Sequence, residues 1–499
     1  MPKPRTPRPT SPHAPAKVAL DDYARDAAFR AVARQARIAP QFDIEAMTRR
    51  AGTTPDDTGH RLGDLDAAFA HAIYHQVVRR WLTLSWALGR EVTQGFSKLE
   101  PRVQSALLCG AAQILYMDRV PAHAAIDHAV EWAKLMVRPG AGGLVNAVLR
   151  RVARLLPDPE SNHADRHRPR YTSLRDELPL DDGRALVLRE PILPEDDLDR
   201  LAIATSHPRD LLDHWSRSQA PAVVAARAMH DLVPPPTILN AVYAGVSTRN
   251  RLCVMDRASV SEHRTPGFFC WHGSHAALVE LLQDCPDVWV QDPSSAAAIL
   301  SIADLTPPPA RIIDYCAGQG TKTRQLAFQF PDAEIVATDA DEGRYATLRA
   351  ALDGFRVEGR KGRVCVQPIS TLRTTGELGR FGFADLILLD VPCSNTGVLA
   401  RRPEARYRYS GRSQNAITSV QRQIIADCLP LLADRGEHRG MILYATCSLE
   451  SAENTAQAAW AGKWHGFQPQ RQRSAEPRGL PGEEPGAYLD GAYSVLLTR

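Results

Sequence analysis

Residues 441–448 read MILYATCS, and this stretch decides the fold. Its first four residues are an apolar run rich in strand formers, which predicts a β-strand buried on both faces. The run ends in the small residues Thr446, Cys447 and Ser448. A thiol at the carboxyl end of a parallel strand lies where open α/β sheets bind their ligands. Taken alone, a cysteine that fills the core as a small hydrophobic residue is the more ordinary interpretation.

A second stretch, residues 385–396 with the sequence DLILLDVPCSNT, follows the same pattern. Its apolar run ends in Asp390, and Cys393 comes three residues later. Two strands that each deliver a cysteine, one of them beside a carboxylate, are a poor pattern for filling a core. Thiols are nucleophiles that need no metal, and a carboxylate can hold or deliver a proton. We therefore predict that Cys447, Cys393 and Asp390 are catalytic.

Residues 290–499 alternate strand-like and helix-like segments. The predicted strands are 311–316, 334–339, 364–366, 386–390, 441–445 and 492–497. Helical stretches such as 343–352 and 419–432 fall between them. This alternation predicts an α/β fold with a doubly wound, mostly parallel sheet.

A glycine-containing loop, DYCAGQGTKT at residues 314–323, follows the first predicted strand. A strand, a glycine loop and a helix in succession are typical of a nucleotide-binding turn. Gly318 and Gly320 allow close approach of the backbone to a ligand, and Asp339 follows about 20 residues later, where a carboxylate can bind ribose hydroxyls. The third glycine of a dinucleotide loop is absent, which favours an adenosyl ligand over NAD. The predicted cofactor-binding residues are Cys316, Ala317, Gly318, Gln319, Gly320, Thr321, Lys322, Asp339 and Asp390.

Composition and charge narrow the function classes. A chain of 499 residues exceeds one ordinary core, so several domains are expected. A net charge of +3 does not by itself argue for nucleic acid. Nine cysteines without a CxxC pair argue against structural zinc and disulfides. No apolar run reaches the roughly 18 residues of a membrane span, and the first residues lack the apolar stretch of a secretion signal. We expect free thiols, no metal, no membrane and a cytoplasmic location.

The first third of the chain predicts a basic arm and a helical bundle. Residues 1–20 carry four basic side chains among six prolines and no acid, which predicts disorder. Residues 21–155 repeat apolar side chains at helical spacing, as in Leu65, Phe69 and Ile73. The arginines of this region form either a solvated face or a phosphate-binding face. They are Arg79, Arg80, Arg90, Arg102, Arg119, Arg138, Arg150, Arg151 and Arg154.

Two further segments separate the bundle from the doubly wound domain at 290–499. Residues 156–198 are polar and rich in proline, which predicts a linker. Residues 199–289 have mixed helix and strand signals, including a strand candidate at 237–242 after three prolines, and predict a small α/β module.

These motifs resemble those of the RNA cytosine-carbon-5 methyltransferases of the Sun/nucleolar-protein group. The family loop commonly reads CAAPGGKT, and residues 316–323 read CAGQGTKT. The family motif DxPCSxTG is matched by residues 390–397. The family motif ATCS, with an acid–Asn pair downstream, is matched by residues 445–448 and by the pair at 453–454. The run VQDPSSAAA at 290–298 is similar to the segment that opens the family's catalytic domain.

The N-terminal half extends the resemblance. Residues 107–134 and 143–154 resemble the helical domain shared with the antitermination factor NusB. In this family that domain is characteristic of the Fmu/RsmB-like bacterial enzymes, which form 5-methylcytosine in 16S ribosomal RNA. The resemblance implies a class I methyltransferase Rossmann-like fold behind a NusB-like domain. Gln319 and Thr321 depart from the family loop, and Gln367, Pro368 and Ile369 stand where an acid near the adenine is usual.

The resemblance also implies a mechanism. Cys447 adds to carbon 6 of cytosine, which makes carbon 5 able to accept a methyl group. Asp390 would hold or protonate the ring nitrogen, and Cys393 matches the cysteine needed for product release. S-adenosylmethionine would be held by the loop 316–322 and Asp339. The target base must be unpaired or flipped out of its helix to be reached.

Several assignments stay open at this point. Lys322 would pair with the cofactor carboxylate or stabilise the loop. The RNA partner is expected to be ribosomal, with transfer RNA as the alternative substrate and a non-enzymatic assembly factor as the alternative function. The candidates for contact with the RNA backbone near the site are Arg401, Arg402, Arg406 and Arg408.

Overall fold

The computed structural model describes residues 22–43, 62–157, 166–372, 383–435 and 438–499. The predicted basic arm at 1–20 lies outside the described residues. The chain divides into two compact units. The first unit is Met1–Arg37, Glu45–Val78 and Leu88–Ala153, and the second is Ile38–Ile44, Arg79–Ala87 and Arg154–Arg499.

The α-helices follow one another through both units. In chain order they are α1 (Tyr23–Ile38), α2 (Asp64–Arg79), α3 (Trp81–Gly89), α4 (Pro101–Tyr116), α5 (Ala122–Met136), α6 (Ala141–Ala153), α7 (Asp197–Thr205), α8 (Arg209–Ser216), α9 (Pro221–His230), α10 (Val246–Val254), α11 (His275–Asp284), α12 (Pro293–Leu300), α13 (Thr321–Gln329), α14 (Glu342–Leu352), α15 (Ile369–Leu372), α16 (Gly411–Cys428) and α17 (Thr455–His465). None of the described helices is long and apolar enough to cross a bilayer.

All strands among the described residues lie in the second unit. They are β1 (His167–Arg168), β2 (Glu177–Pro179), β3 (Ala185–Val187), β4 (Thr237–Asn240), β5 (Val260–Glu262), β6 (Phe268–Trp271), β7 (Trp289–Val290), β8 (Arg311–Asp314), β9 (Glu334–Ala337), β10 (Arg363–Val366), β11 (Leu386–Asp390), β12 (Asp434–Arg435), β13 (His438–Arg439), β14 (Met441–Thr446), β15 (Gln468–Ala475) and β16 (Ala492–Thr498).

The first unit packs amphipathic helices around a small apolar centre. Helices α4 and α6 approach closely because Gly110 lacks a side chain: a Cβ there would lie 2.5 Å from Leu149. Trp132 is fully buried, and its indole nitrogen donates to the Asp26 carboxylate at 2.8 Å. The apolar spacing predicts these helices, with one exception. Leu65 is 86% exposed because it lies in the first turn of α2, outside the buried stripe.

A seven-stranded sheet organises the second unit, in the order β10-β9-β8-β11-β14-β16-β15. The first five strands run parallel, and β16 is antiparallel to both neighbours. The predicted doubly wound α/β fold is therefore confirmed. The sequence did not predict β15, because its polar, exposed side chains at the sheet edge carry no apolar period.

The sheet is buried on both faces, as the run at 441–445 predicts. Successive residues of β14 alternate between two cores: Leu443 packs on one face, and Ile442 and Tyr444 pack on the other. Residues from α12, α13 and α14 cover the first face, and residues from α16 and α17 cover the second. Because β11 and β14 are adjacent and parallel, with Asp390 opposite Ala445, the loops that follow them emerge side by side.

The predicted linker at 156–198 is wrong for much of its described part, because this stretch contains a three-stranded antiparallel sheet in the order β1-β3-β2. One acid of this stretch is buried and paired within the fold. The buried Glu177 carboxylate accepts hydrogen bonds from the Arg168 guanidinium and, at 2.8 Å, from the Thr172 amide. Leu178 and Leu186 are buried beside it.

Residues 199–289 fold as helices α7–α9 followed by a four-stranded sheet in the order β5-β6-β4-β7. They belong to the same compact unit as the seven-stranded sheet. Leu211 and Trp215 of α8, for example, share an apolar cluster with Leu399 from the segment after β11. The helix and strand signals in the sequence thus predict these elements. The boundaries of the predicted module at 199–289 remain predictions.

Candidate active site

The two cysteines that end the predicted strands lie in contact. The Sγ atoms of Cys393 and Cys447 are 3.1 Å apart, and both are free, partly buried thiols. The loops approach closely because position 397 is glycine: its amide donates to the Cys447 carbonyl at 2.8 Å, and a Cβ would lie 2.7 Å from that oxygen. Asn395 has a left-handed φ of 62° and brings its Oδ1 within 3.4 Å of Cys447 Sγ.

The two thiols differ in their surroundings. A hydrogen bond to Cys447 and burial together raise the pKa of Cys393 well above its usual range. The Cys393 thiol therefore keeps its proton at neutral pH. Cys447 lines a small cavity together with Lys322 and Asp390, and this cavity also contains Thr446 and Tyr493. Cys393 does not line this cavity, so a molecule in it would contact the Cys447 thiol rather than the Cys393 thiol.

Lys322 forms an ion pair with Asp390. Its Nζ donates to Asp390 Oδ2 at 2.8 Å and to Ser295 Oγ at 3.0 Å. Burial opposes the ammonium form, but Asp390 outweighs burial and raises the pKa of Lys322. The sequence offered two roles for this lysine, and neither included Asp390. Only the parallel register of β8 and β11, which sets the loops after the two strands side by side, brings Lys322 to this carboxylate.

The glycine loop takes the geometry that its sequence predicts. Gly318 and Gly320 have φ of 58° and 87°. Gly320 is also the N-cap residue of α13, and a Cβ there would lie 2.3 Å from Leu352. Asp339 reaches the loop from the end of β9, where its carboxylate accepts from the Gly318 amide at 2.9 Å and from Arg344 Nε at 3.2 Å. The arginine partner has no sequence signal.

The other predicted loop residues differ in their solvent exposure. Gln319 and Thr321 are exposed, and Ala317 is buried, with its amide bound to the Thr338 carbonyl. Burial raises the pKa of Cys316 well above its usual range, so its thiol is not poised as a nucleophile. These residues can shape the loop through the backbone, and Gln319 and Thr321 can contact a ligand directly.

A buried carboxylate beneath the loop has spare hydrogen-bonding capacity. Asp314, at the end of β8, accepts from Thr323 Oγ1 at 2.6 Å, while its other oxygen has no partner among the described residues. Burial raises the pKa of Asp314 to about 7. An adenosyl amino acid carries both ribose hydroxyls and an ammonium group, which are donors. Asp339, the glycine backbone and the unpaired Asp314 oxygen therefore fit S-adenosylmethionine.

Behind the thiols, a buried acid links the two loops. The Glu453 carboxylate accepts from the Ser394 amide at 2.9 Å and from Ser448 Oγ at 3.0 Å, and each of these residues directly follows one of the cysteines. Asn454 donates to the Ser448 carbonyl at 2.8 Å. Burial raises the pKa of Glu453. The acid–Asn pair quoted from the sequence thus holds the thiol loops together.

The arginines after β11 do not form one RNA-binding surface, which corrects the sequence prediction. Arg401 Nε donates to the buried Asp490 carboxylate at 2.6 Å. Arg406 is fully buried and donates to the carbonyls of Thr205 and Asp231 at 3.1 and 3.0 Å. The guanidiniums of Arg401 and Arg406 therefore bind buried acceptors. Arg402 is half-buried, and Arg408 alone among the four predicted arginines is exposed.

The predicted arginines of the helical region are corrected in the same way. Arg79 and Arg80 are buried and belong to the second unit. The remaining arginines of that prediction are exposed.

Within the described ranges, no group of three or more His, Cys, Asp or Glu side chains could hold a metal ion.

Comparison with known proteins identifies relatives along most of the chain. A family model described as 16S rRNA methyltransferase RsmB/F matches residues 304–471, and a NusB family model matches residues 22–154. The ribosomal RNA small subunit methyltransferase B of Erwinia tasmaniensis is 27% identical over 408 residues, which cover 79% of this chain and 82% of that protein. The protein of the same name from Escherichia coli O127:H6 is 27% identical over 410 residues, covering 80% and 82%.

A solved structure shares the fold. The crystal structure of PH0851 aligns with a TM-score of 0.65 at 18% identity, and the alignment covers 97% of this chain and 100% of that chain.

Proposed function

Because the chain belongs to the RsmB/F family of 16S rRNA methyltransferases and carries a NusB family domain ahead of its catalytic domain, we propose that it methylates carbon 5 of a cytosine in small-subunit ribosomal RNA. The methyl donor is S-adenosylmethionine. The observation that carries the proposal is the contact of Cys393 and Cys447, 3.1 Å apart, beside the Lys322–Asp390 ion pair. We also infer a cytoplasmic location, since ribosomal RNA is there.

Four residues of this chain perform the proposed reaction. The Cys447 sulfur forms a bond to carbon 6 of cytosine, which moves electron density to carbon 5. The thiol proton of Cys447 passes through Asp390, held in position by Lys322, to the ring nitrogen, where it offsets the negative charge that addition places on the base. Once carbon 5 carries the methyl group, water takes the carbon-5 proton, the carbon–sulfur bond breaks, and the ring nitrogen returns its proton through Asp390 to Cys447. Because Cys393 keeps its proton, its thiol donates a hydrogen bond to the departing sulfur.

The residues on the loop side of this site would hold the cofactor. Gly318 and Gly320 would allow the backbone to approach it, and Asp339 would accept from its ribose hydroxyls. Asp314 would supply an acceptor for its ammonium group. When bound, S-adenosylmethionine supplies an electrophilic methyl group, and the chain orients the base towards it.

Bisulfite sequencing of small-subunit ribosomal RNA tests the proposal. A strain that lacks the gene should lose one 5-methylcytosine signal, the wild-type gene should restore it, and the Cys447→Ala gene should not. Loss of a signal in transfer RNA instead would reassign the substrate. A deletion strain with an unchanged methylation pattern would refute the proposed activity.

A further inference from the structure

A second cavity opens on the Cys393 side of the thiol pair. It has a volume of about 160 Å³ and is lined by Cys393, Ser394, Asn395, Arg408, Tyr409 and Gln414, among others. The cavity at Cys447 is a separate one, of about 50 Å³. The two sulfurs, in contact at 3.1 Å, therefore lie between two cavities. The reaction proposed above accounts only for the cavity at Cys447.

The second cavity offers hydrogen-bond donors and a positive charge. Gln414 Nε2 is buried and has no hydrogen-bond partner among the described residues. Leaving such a group unpaired is costly, so it favours a ligand that brings an acceptor. Arg408 lies exposed at the same cavity and presents a guanidinium, which suits a phosphate. Burial raises the pKa of Tyr409 above its usual range, so its hydroxyl stays neutral and adds no negative charge beside Arg408.

The size of the cavity limits what it can hold. Sites for small-molecule ligands and cofactors occupy roughly 300–1,000 Å³, and 160 Å³ is well below that range. The space fits a phosphate, or the edge of one base, better than a second cofactor. A polar ligand fragment that is negatively charged and attached to a larger molecule matches both the volume and the donors.

We propose that this cavity binds the nucleotide that adjoins the target cytosine in the RNA chain, with its phosphate at Arg408 and an acceptor of its base or ribose at Gln414. The inference rests on the proposed function. A cytosine bonded to Cys447 lies against Cys393, because the sulfurs touch. The RNA strand must continue from that base, and the cavity on the far side of Cys393 provides donors for it. Arg408 and Gln414 are thus residues for substrate binding and sequence context.

The test uses the full-length protein and a small-subunit ribosomal RNA transcript. Arg408→Ala should raise KM for the transcript about tenfold and should lower the salt dependence of binding by about one phosphate contact. Gln414→Ala should raise KM without changing the salt dependence, because it removes no charge. The matched control is Arg412→Ala, an exposed arginine on α16 that does not line the cavity. It should leave KM near the wild-type value.

Two measurements separate this inference from the proposed function. If the wild-type protein methylates no cytosine in the transcript, the proposed function fails. If the wild type is active and both cavity variants keep its KM for the transcript, the cavity is not a nucleotide site. The same conclusion follows if Arg412→Ala raises KM as much as Arg408→Ala does. Affinity for S-adenosylmethionine should be unchanged in all three variants, and its loss in Arg408→Ala or Gln414→Ala would overturn the assignment to RNA.

Discussion

Lys322 Nζ lies 2.8 Å from Asp390 Oδ2, so the loop assigned to the cofactor and the carboxylate assigned to the base are directly connected. Both side chains line the same cavity as Cys447. A change at either residue therefore acts on both halves of the site. The lysine is charged at neutral pH because Asp390 raises its pKa against the effect of burial.

Lys322→Met tests this connection. The methionine keeps much of the side-chain volume but leaves Asp390 without its cation, so the carboxylate is no longer fixed against the base. We expect the rate of methyl transfer to fall about 10- to 100-fold, measured in single-turnover assays with saturating RNA. Lys463→Met, at an exposed lysine of α17, is the control and should retain the wild-type rate. Equal rates for the two variants would show that the ion pair is not used.

Asp339→Ala tests the ribose contact. The carboxylate already orders the loop through the Gly318 amide, and its removal also leaves Arg344 without this partner. Affinity for S-adenosylmethionine should weaken by about 1–3 kcal/mol, the range for a hydrogen bond to a charged group. Isothermal calorimetry measures it, with Glu342→Ala in the first turn of α14 as the control. An unchanged affinity would mean that the ribose lies elsewhere.

Asp314 makes stability depend on pH. Burial raises its pKa from 3.8 to about 7. Between these values the folded protein holds a proton that the unfolded chain has lost, so the free energy of unfolding falls as pH rises through this window. Asp314→Asn is neutral at every pH and should remove at most about 3 kcal/mol of that loss between about pH 5 and about pH 8. Denaturant unfolding measures it. Asp490, whose pKa burial also raises to about 7, keeps part of the slope.

The control for this pH dependence is Asp332→Asn, at an exposed carboxylate. It should keep the wild-type slope. If Asp314→Asn also keeps that slope, the buried carboxyl does not hold its proton in the folded protein.

Much of the fold could be predicted, because the spacing of apolar residues and the order of strands and helices along the chain determine it. Residues 441–445 and 386–389 are continuous apolar runs, and short runs of strand-forming residues are typical of strands buried on both faces of a sheet. The glycine loop and Asp339 were predictable because their spacing reflects one strand–helix–strand unit. The edge strand β15 was missed because no apolar face identifies it.

The pairings between distant residues could not be predicted. Arg406 has the appearance of a surface cation in the sequence, yet it is fully buried against carbonyls of Thr205 and Asp231. Charge alone does not indicate which arginine meets a buried acceptor, since long-range folding decides it. The same limit applies to Glu177, whose carboxylate pairs within a stretch that resembled a linker. The acid–Asn pair was noted in the sequence, but its role as the link between the thiol loops required Glu453 to be seen between Ser394 and Ser448.

Substitutions of exposed arginines test whether the first unit binds RNA. Deleting residues 21–155 would also remove 79–87, which belong to the second unit, so substitutions are cleaner. Arg119→Ala combined with Arg150→Ala removes two exposed cations and should weaken RNA binding and lower the salt slope by up to about two. Arg138→Ala, whose guanidinium pairs with Glu100, is the control and should have a smaller effect. Unchanged binding and salt slope in the double variant would assign this unit a structural or protein-binding role.

Substitutions of Cys447 and Cys393 should have different effects on the reaction. Cys447→Ala removes the nucleophile, so neither a covalent RNA complex nor methylation should form. Cys393→Ala leaves the attack intact but removes the hydrogen-bonded thiol 3.1 Å from Cys447, and release should slow. The methylated adduct should then persist as a protein–RNA species on denaturing electrophoresis. Cys253→Ser, at an exposed thiol of α10, is the control and should turn over like the wild type. If Cys447→Ala traps RNA and Cys393→Ala does not, the roles are reversed. If neither substitution changes turnover, both thiols are core residues, and the covalent mechanism fails with them.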